Sequence, residues 1–276
     1  MRSTRDIRNK IRTVRNIEQI CRAMKTVASI RLRRAEQRLH QARPYHEKLT
    51  ALVGLVAAVN HDHPFLQARP VEKTGLVLIS SDRGLCGGYN AAVIRTAFAA
   101  VPPEDTLAVA VGRRGLLHLR REGYEIADQL VPLGGEPSVA AVYALAERLG
   151  ERYLKGEIDR LIVAYTRFLG GTRTEARTEV VLPVEPQVLP IADVLFEPAP
   201  STMLPGLMAR YLQDRILEAA LEASTSEHAA RVSAMTAATD NADEMIGRLT
   251  LDYNKARQAG ITAELIEIVS ASGSTG

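Results

Sequence analysis

From Pro205 to about Ser270 the sequence repeats in sevens and contains no further proline. Leu221, His228, Met235, Ala242, Leu249, Ala256 and Ala263 lie seven residues apart, and Val232, Ala238, Met245, Ile246 and Tyr253 fill the three- and four-residue offsets. That is a heptad seam with one polar slot at His228. It predicts a single helix of about 65 residues, on the order of 100 Å long at about 1.5 Å per residue. No single globular domain buries such a helix along its whole length, so it needs a partner in its own chain and a structure beyond it. Pro205 suits the first turn, where its missing N–H costs nothing. Gly247 and Gly260 are the weak points.

The partner is at the other end of the chain. Ile7, Val14, Cys21, Ala28, Ala35, Ala42, Leu49 and Val56 keep the same spacing. Ile11, Ile17, Met24, Leu32, Leu39, Tyr45 and Leu52 form a second line that hops between adjacent heptad positions, which predicts a loosely wound pair. Ser3 or Thr4 caps the start, and Pro44 is expected to kink or interrupt the helix. The two ends together read as an antiparallel coiled-coil hairpin.

Charge is distributed unevenly. Residues 1–48 carry 14 Lys+Arg and 4 Asp+Glu, a net +10 in a chain whose total is +3, so the remainder is net −7. The basic segment therefore suits an acidic surface. Its basic face includes Arg8, Arg12, Arg15, Arg22, Lys25, Arg31, Arg33, Arg34 and Arg38, without the interleaved aromatics of a nucleic-acid interface. Two cysteines, Cys21 and Cys86, make neither a disulfide framework nor a metal quartet. No signal peptide is visible, and the longest apolar run, Leu52 to Val59, is far short of the ~20 residues that span a bilayer.

The middle has a different character. Past a linker at His61–Lys73, strand-like runs at 75–81, 106–112, 125–130, 159–166 and 174–182 alternate with helix-like runs at 91–100, 114–122 and 138–155. This predicts a small Rossmann-like α/β domain with a mostly parallel sheet. Pro183, Pro186, Pro190, Pro198 and Pro200 then make an extended return. The expected domains are residues 1–59, 60–200 and 201–276.

The glycine-rich turn Ser81-Asp-Arg-Gly-Leu-Cys-Gly-Gly-Tyr-Asn90 has the strand–loop–helix geometry that cradles phosphate. It matches neither GxxxxGK[ST] nor GxGxxG, and no lysine follows its glycines. Cys86 has no histidine spaced to act as its base. Two readings are open on these residues: an α/β enzyme binding phosphate at Gly84–Gly88, and a coiled-coil scaffold or nucleic-acid-associated protein using the basic helix.

Three stretches carry a resemblance to a known family. They are Ile7–Ala35 with Ala23-Met-Lys-Thr-Val-Ala28, the Ser81–Asn90 turn, and Ser226-Glu-His-Ala-Ala-Arg231 through Ala237-Ala-Thr-Asp-Asn241 to Tyr253–Leu265. In order and over essentially the whole chain, they resemble the γ subunit of bacterial-type F-type ATP synthase. Cys21, Thr26 and Gly260 depart from the family's usual Thr, apolar residue and Ser, and the regulatory chloroplast insertion is absent.

The resemblance implies a rotor shaft that couples proton flow to ATP synthesis or hydrolysis on β subunits and regulates ATPase activity. It implies a subunit with no catalytic site, cofactor, metal or nucleic acid of its own. The implied partners are a ring of three α and three β subunits, the ε subunit and the c-ring, with one copy of this chain per complex. The implied location is peripheral, on the cytoplasmic face of the bacterial plasma membrane. Met24, Lys25, Arg231, Gln258, Thr262 and Glu264 match positions contacting β. Ile261, Leu265, Ile266, Ile268 and Val269 match the apolar bearing. Arg83, Gly84, Leu85, Cys86, Gly87, Gly88 and Asn90 form the loop expected near ε and the c-ring. A positive group added at Met24 is expected to tighten β contact and impair coupling.

Overall fold

The computed structural model describes residues 4–134, 136–185 and 196–273, without the side chains of 264 and 267–273. Pro186 and Pro190 lie outside the described residues. The elements run α1 (Thr4–Val59), a short 3-10 turn (Pro64–Leu66), β1 (Thr74–Ile79), α2 (Tyr89–Ala100), β2 (Thr106–Val111), α3 (Arg113–Arg121), β3 (Glu125–Leu130), α4 (Val139–Leu154), β4 (Arg160–Gly170), β5 (Arg173–Leu182) and α5 (Pro200–Gly273). The chain divides into two compact units, 28–232 and a second made of 1–27 with 233–276, and both long helices contribute to each.

In the 28–232 unit the strand order is β3-β2-β1-β4-β5. The first four strands are parallel and β5 returns antiparallel on β4. β1 and β2 are buried at every residue, as strands covered on both faces must be, whereas the edge strand β3 is half-buried to exposed. One face packs on α2 and α3 through Val93, Ile94, Ala97, Leu116 and Leu119. The other packs on α4, on Val53 and Val56 of α1, and on Leu204–Ala223 of α5. Ser138 caps α4 by accepting a bond from the Ala141 N–H at 3.5 Å. The fold is the mostly parallel α/β domain with long terminal helices that the pattern predicts.

Four details differ from the sequence reading. α5 begins at Pro200, which takes the first helical position, so Pro205 sits inside the helix rather than at its start. The helix α1 runs through Pro44 without interruption. The second seam line of α1 does not hop. Ile11, Glu18, Lys25, Leu32, Leu39, His46 and Val53 all face inward, seven apart, while Ile17, Tyr45 and Leu52 are exposed. Choosing only apolar residues missed this line because three of its slots are polar. On α5, Met245 is likewise outside the seam, at 51% exposure.

In the smaller unit, Ile7 and Glu18 on α1 and Met235, Thr239 and Ala242 on α5 are buried. Arg22 pairs with Glu18 one turn away and reaches Asp243 of α5 at 3.9 Å. Within the larger unit α1 and α5 run antiparallel: His46 meets Asp214 and Glu218, and Arg31 acts on Glu227 further along.

Candidate functional site

In an open α/β sheet, ligands bind at the carboxyl ends of the strands where the strand order reverses. Here that point lies between β1 and β4, and the Ser81–Asn90 turn leads away from it. The structure fills the crevice with α5. The Tyr89 hydroxyl donates to the Ala223 carbonyl at 3.0 Å, and the Ser226 hydroxyl donates to the Thr166 carbonyl on β4 at 2.9 Å. The Arg231 guanidinium donates to the Gly84 carbonyl at 3.3 Å and to Glu227 at 2.7 Å.

The turn is tied internally as well. The Ser81 N–H donates to Asn90 Oδ1 at 3.0 Å, and Asn90 Nδ2 donates to Ser81 Oγ at 2.8 Å and to Cys86 Sγ at 3.3 Å. The Ser81 hydroxyl donates to the Arg83 carbonyl at 2.5 Å. Asp82 accepts from the N–H groups of Arg113, Leu133 and Gly134, joining the turn to the start of α3 and to the chain after β3. Gly87 takes φ 58, a left-handed conformation suited to glycine. Leu85 takes φ 62 despite its side chain, which is 63% exposed at the tip of the turn.

Burial sets the electrostatics. It pushes the Cys86 thiol up, away from the thiolate that a nucleophile needs. It pushes the Tyr89 hydroxyl well above its ordinary range. It also raises the Glu227 carboxyl, against the pull of Arg231. Arg231 and Glu227 are each only 12% exposed as side chains, a buried pair fastening the helix to the turn.

Two groups predicted separately therefore meet: Arg231, matched to the β contact, and Gly84, matched to the foot loop. Met24 and Lys25 lie half-buried on α1. Gln258 and Thr262 are exposed one turn apart on α5, the Thr262 hydroxyl donating to the Gln258 carbonyl. Ile261, Leu265 and Ile266 are exposed beside them. The side chains of Glu264, Ile268 and Val269 lie outside the described residues. Tyr89, Ser226 and Glu227 lie in the stretches that carry the resemblance but were given no role there. For Ser226 and Glu227 the sequence signal was the polar run Ser224-Thr225-Ser226-Glu227-His228 in a helix otherwise read as an apolar seam, and all five residues are buried.

A family model described as ATP synthase matches residues 3–274. The chain is 42% identical to the ATP synthase gamma chain of Moorella thermoacetica over 276 residues and 40% identical to that of Desulfitobacterium hafniense over 274, each match covering 98% of both proteins. The chain belongs to the ATP synthase γ-chain family. Solved structures with the same fold include a chain of the Euglena gracilis mitochondrial ATP synthase OSCP/F1/c-ring assembly, at TM-score 0.70 and 19% identity, covering 99% of this chain and 94% of that one. Another is a chain of the Tetrahymena thermophila mitochondrial central stalk/c-ring, at TM-score 0.61 and 20% identity, covering 79% and 99% respectively. No helix among the described residues is long and apolar enough to cross a membrane. For a γ chain, the plugged crevice has a mechanical sense, because it joins the long helix to β4, to α2 and to the glycine-rich turn.

Proposed function

We propose that this chain is the central rotor shaft of an F-type ATP synthase, turning between ion flow through the membrane sector and the nucleotide sites of the β subunits. The reading rests on family membership over nearly the whole chain. One structural observation supports its mechanics: α5 is fastened to the α/β domain by the bonds of Tyr89 on α2, of Ser226 to β4 and of Arg231 to the glycine-rich turn. Torque on the sheet passes through those bonds into the helix. Residues 60–200 act as the foot, resting beside ε on the c-ring, while 1–59 and 201–276 act as the shaft within three α and three β subunits. The chemistry belongs to β, and this chain contributes no catalytic group. The complex holds it peripherally at the cytoplasmic face of the bacterial membrane.

The outward faces fit this role. Ile17, Ile20, Val27 and Ile30 form an exposed apolar stripe along α1, and Ile261, Leu265 and Ile266 are exposed near the end of α5. Exposed apolar stripes mark surfaces that meet a partner. Met24, Lys25, Arg231, Gln258, Thr262 and Glu264 are assigned to β contact, with Arg231 also bracing the turn. Ile261, Leu265, Ile266, Ile268 and Val269 are assigned to the bearing, and the Arg83–Asn90 turn to the foot.

Reconstitution tests this. The purified chain is mixed with α and β subunits, and complex mass and ATPase rate are measured. A complex of three α, three β and one γ, whose hydrolysis changes when residues 262–276 are removed, is expected. Absence of a complex, together with nucleotide or nucleic-acid binding by the chain alone, would overturn the assignment.

A further inference from the structure

A second polar cluster of the 28–232 unit lies where α1 packs on α5. His46 occupies a seam position of α1 and is 7% exposed, and Glu222 on α5 is 6% exposed. The His46 Nδ1 lies 2.5 Å from Asp214 Oδ2. A carboxylate accepts and does not donate, so the single hydrogen of a neutral ring sits on Nδ1 and Nε2 presents a lone pair. That lone pair has no hydrogen-bond partner among the described residues. Glu218 Oε2 is 2.7 Å away but lacks the alignment of a hydrogen bond, and it accepts from the Arg215 guanidinium at 2.5 Å instead. Glu222 Oε2 is likewise without a partner among the described residues.

Both residues line one cavity of about 20 Å³, walled by Leu39, Leu217 and Leu221 and bordered by Arg43. That is room for about one water molecule. A buried nitrogen and a buried oxygen left unmet are costly, and neither has the other as its partner. The occupant that suits them is small and offers hydrogen in two directions. Water and ammonium both do. Ammonium, however, suits only an ionised Glu222, and burial followed by the neighbouring Glu218 pushes that carboxyl up. Water accepts from a protonated carboxyl as readily as it donates to an ionised one, and in either case keeps a hydrogen for His46. Metal ions fit less well, since no group of three or more His, Cys, Asp or Glu among the described residues is arranged to hold one.

We propose that this cavity is a binding site for a single buried water, which donates to His46 Nε2 and shares a hydrogen bond with Glu222 Oε2. His46 thereby reaches α5 at two levels, directly at Asp214 and through the water about two turns further along at Glu222. The polar slot at position 46 of the seam is then fully satisfied with a neutral ring.

A crystal structure of the purified full-length chain, at a resolution that shows ordered water, tests the site. One density peak is expected within about 2.7–3.2 Å of both His46 Nε2 and Glu222 Oε2. Crystals soaked in a thallium(I) salt, which marks monovalent cation sites by anomalous scattering, should show no signal there. Glu222→Leu, whose side chain takes the space, should lose the peak while His46 keeps its bond to Asp214. A missing peak in the wild type, an anomalous signal in its place, or a peak that persists in Glu222→Leu overturns the proposal. Nuclear magnetic resonance of the wild-type chain with isotope-labelled histidine gives a second reading that needs neither crystals nor the variant. At about pH 8, above the ordinary histidine range, the His46 ring is expected to carry its hydrogen on Nδ1 alone, with cross-relaxation from a long-lived water to the ring carbon protons beside Nε2. A hydrogen on Nε2, or no water signal at those protons, overturns the proposal equally.

Discussion

At the scale of single residues, two side chains are kept where stability alone would not place them. Leu85 holds a left-handed backbone with its side chain exposed, an arrangement that costs about 1–2 kcal/mol in a residue with a Cβ. Leu85→Gly should therefore raise the melting temperature while weakening attachment of the foot to its partners. Calorimetry of the chain and a c-ring binding assay check both halves, and an unchanged binding assay would leave the side chain without a role. Glu222 is the other. Burial raises its carboxyl, so the native state binds a proton more tightly than the unfolded chain. The sign is then fixed: ionised Glu222 destabilises above its native titration, and the penalty fades as pH falls through it. Glu222→Gln should raise the melting temperature by about 2 °C at pH 8 and leave it unchanged near pH 4.

At the scale of elements, the long helices were legible and their inner faces only partly so. The end of α1 follows from the linker after Val59, and every predicted strand is present. The second seam line was misread because Glu18, Lys25 and His46 occupy slots that a search for apolar residues passes over. The start of α5 was placed at Pro205 because proline suits a first turn, but Pro200 takes that position and the helix accommodates the second proline. The candidate site was legible in pieces. The glycine turn and Arg231 each stand out, yet they are 147 residues apart, and nothing in the local pattern says that they meet. One element-level prediction concerns Gly247 in α5, where an added Cβ meets nothing within 4 Å. Gly247→Ala should stabilise the chain by about 1 kcal/mol by removing a flexible helical residue. Chemical denaturation measures this, and a loss of stability would overturn the expectation.

At the scale of the whole molecule, the charge imbalance sets how the chain finds its place. With net +10 in residues 1–48, association with an oppositely charged partner surface is steered over roughly a Debye length, about 10 Å at 0.1 M salt. The rate of assembly with α and β subunits should fall by about tenfold between low and moderate salt, while the finished complex, held by apolar contacts as well, dissociates little faster. Stopped-flow association and dissociation rates separate the two effects.

The core of the sheet's second face draws on Val53 and Val56 before the sheet and on Leu204 to Ala223 after it. The fold therefore closes late in time as well as in sequence. A ribosome making this chain exposes β1 to β5 long before the residues that cover them are synthesised, and an apolar sheet face waits uncovered meanwhile. A nascent γ chain is thus a natural client for a chaperone until Ala223 has emerged. A transcript cut short before that point yields a sticky fragment in place of a smaller working part.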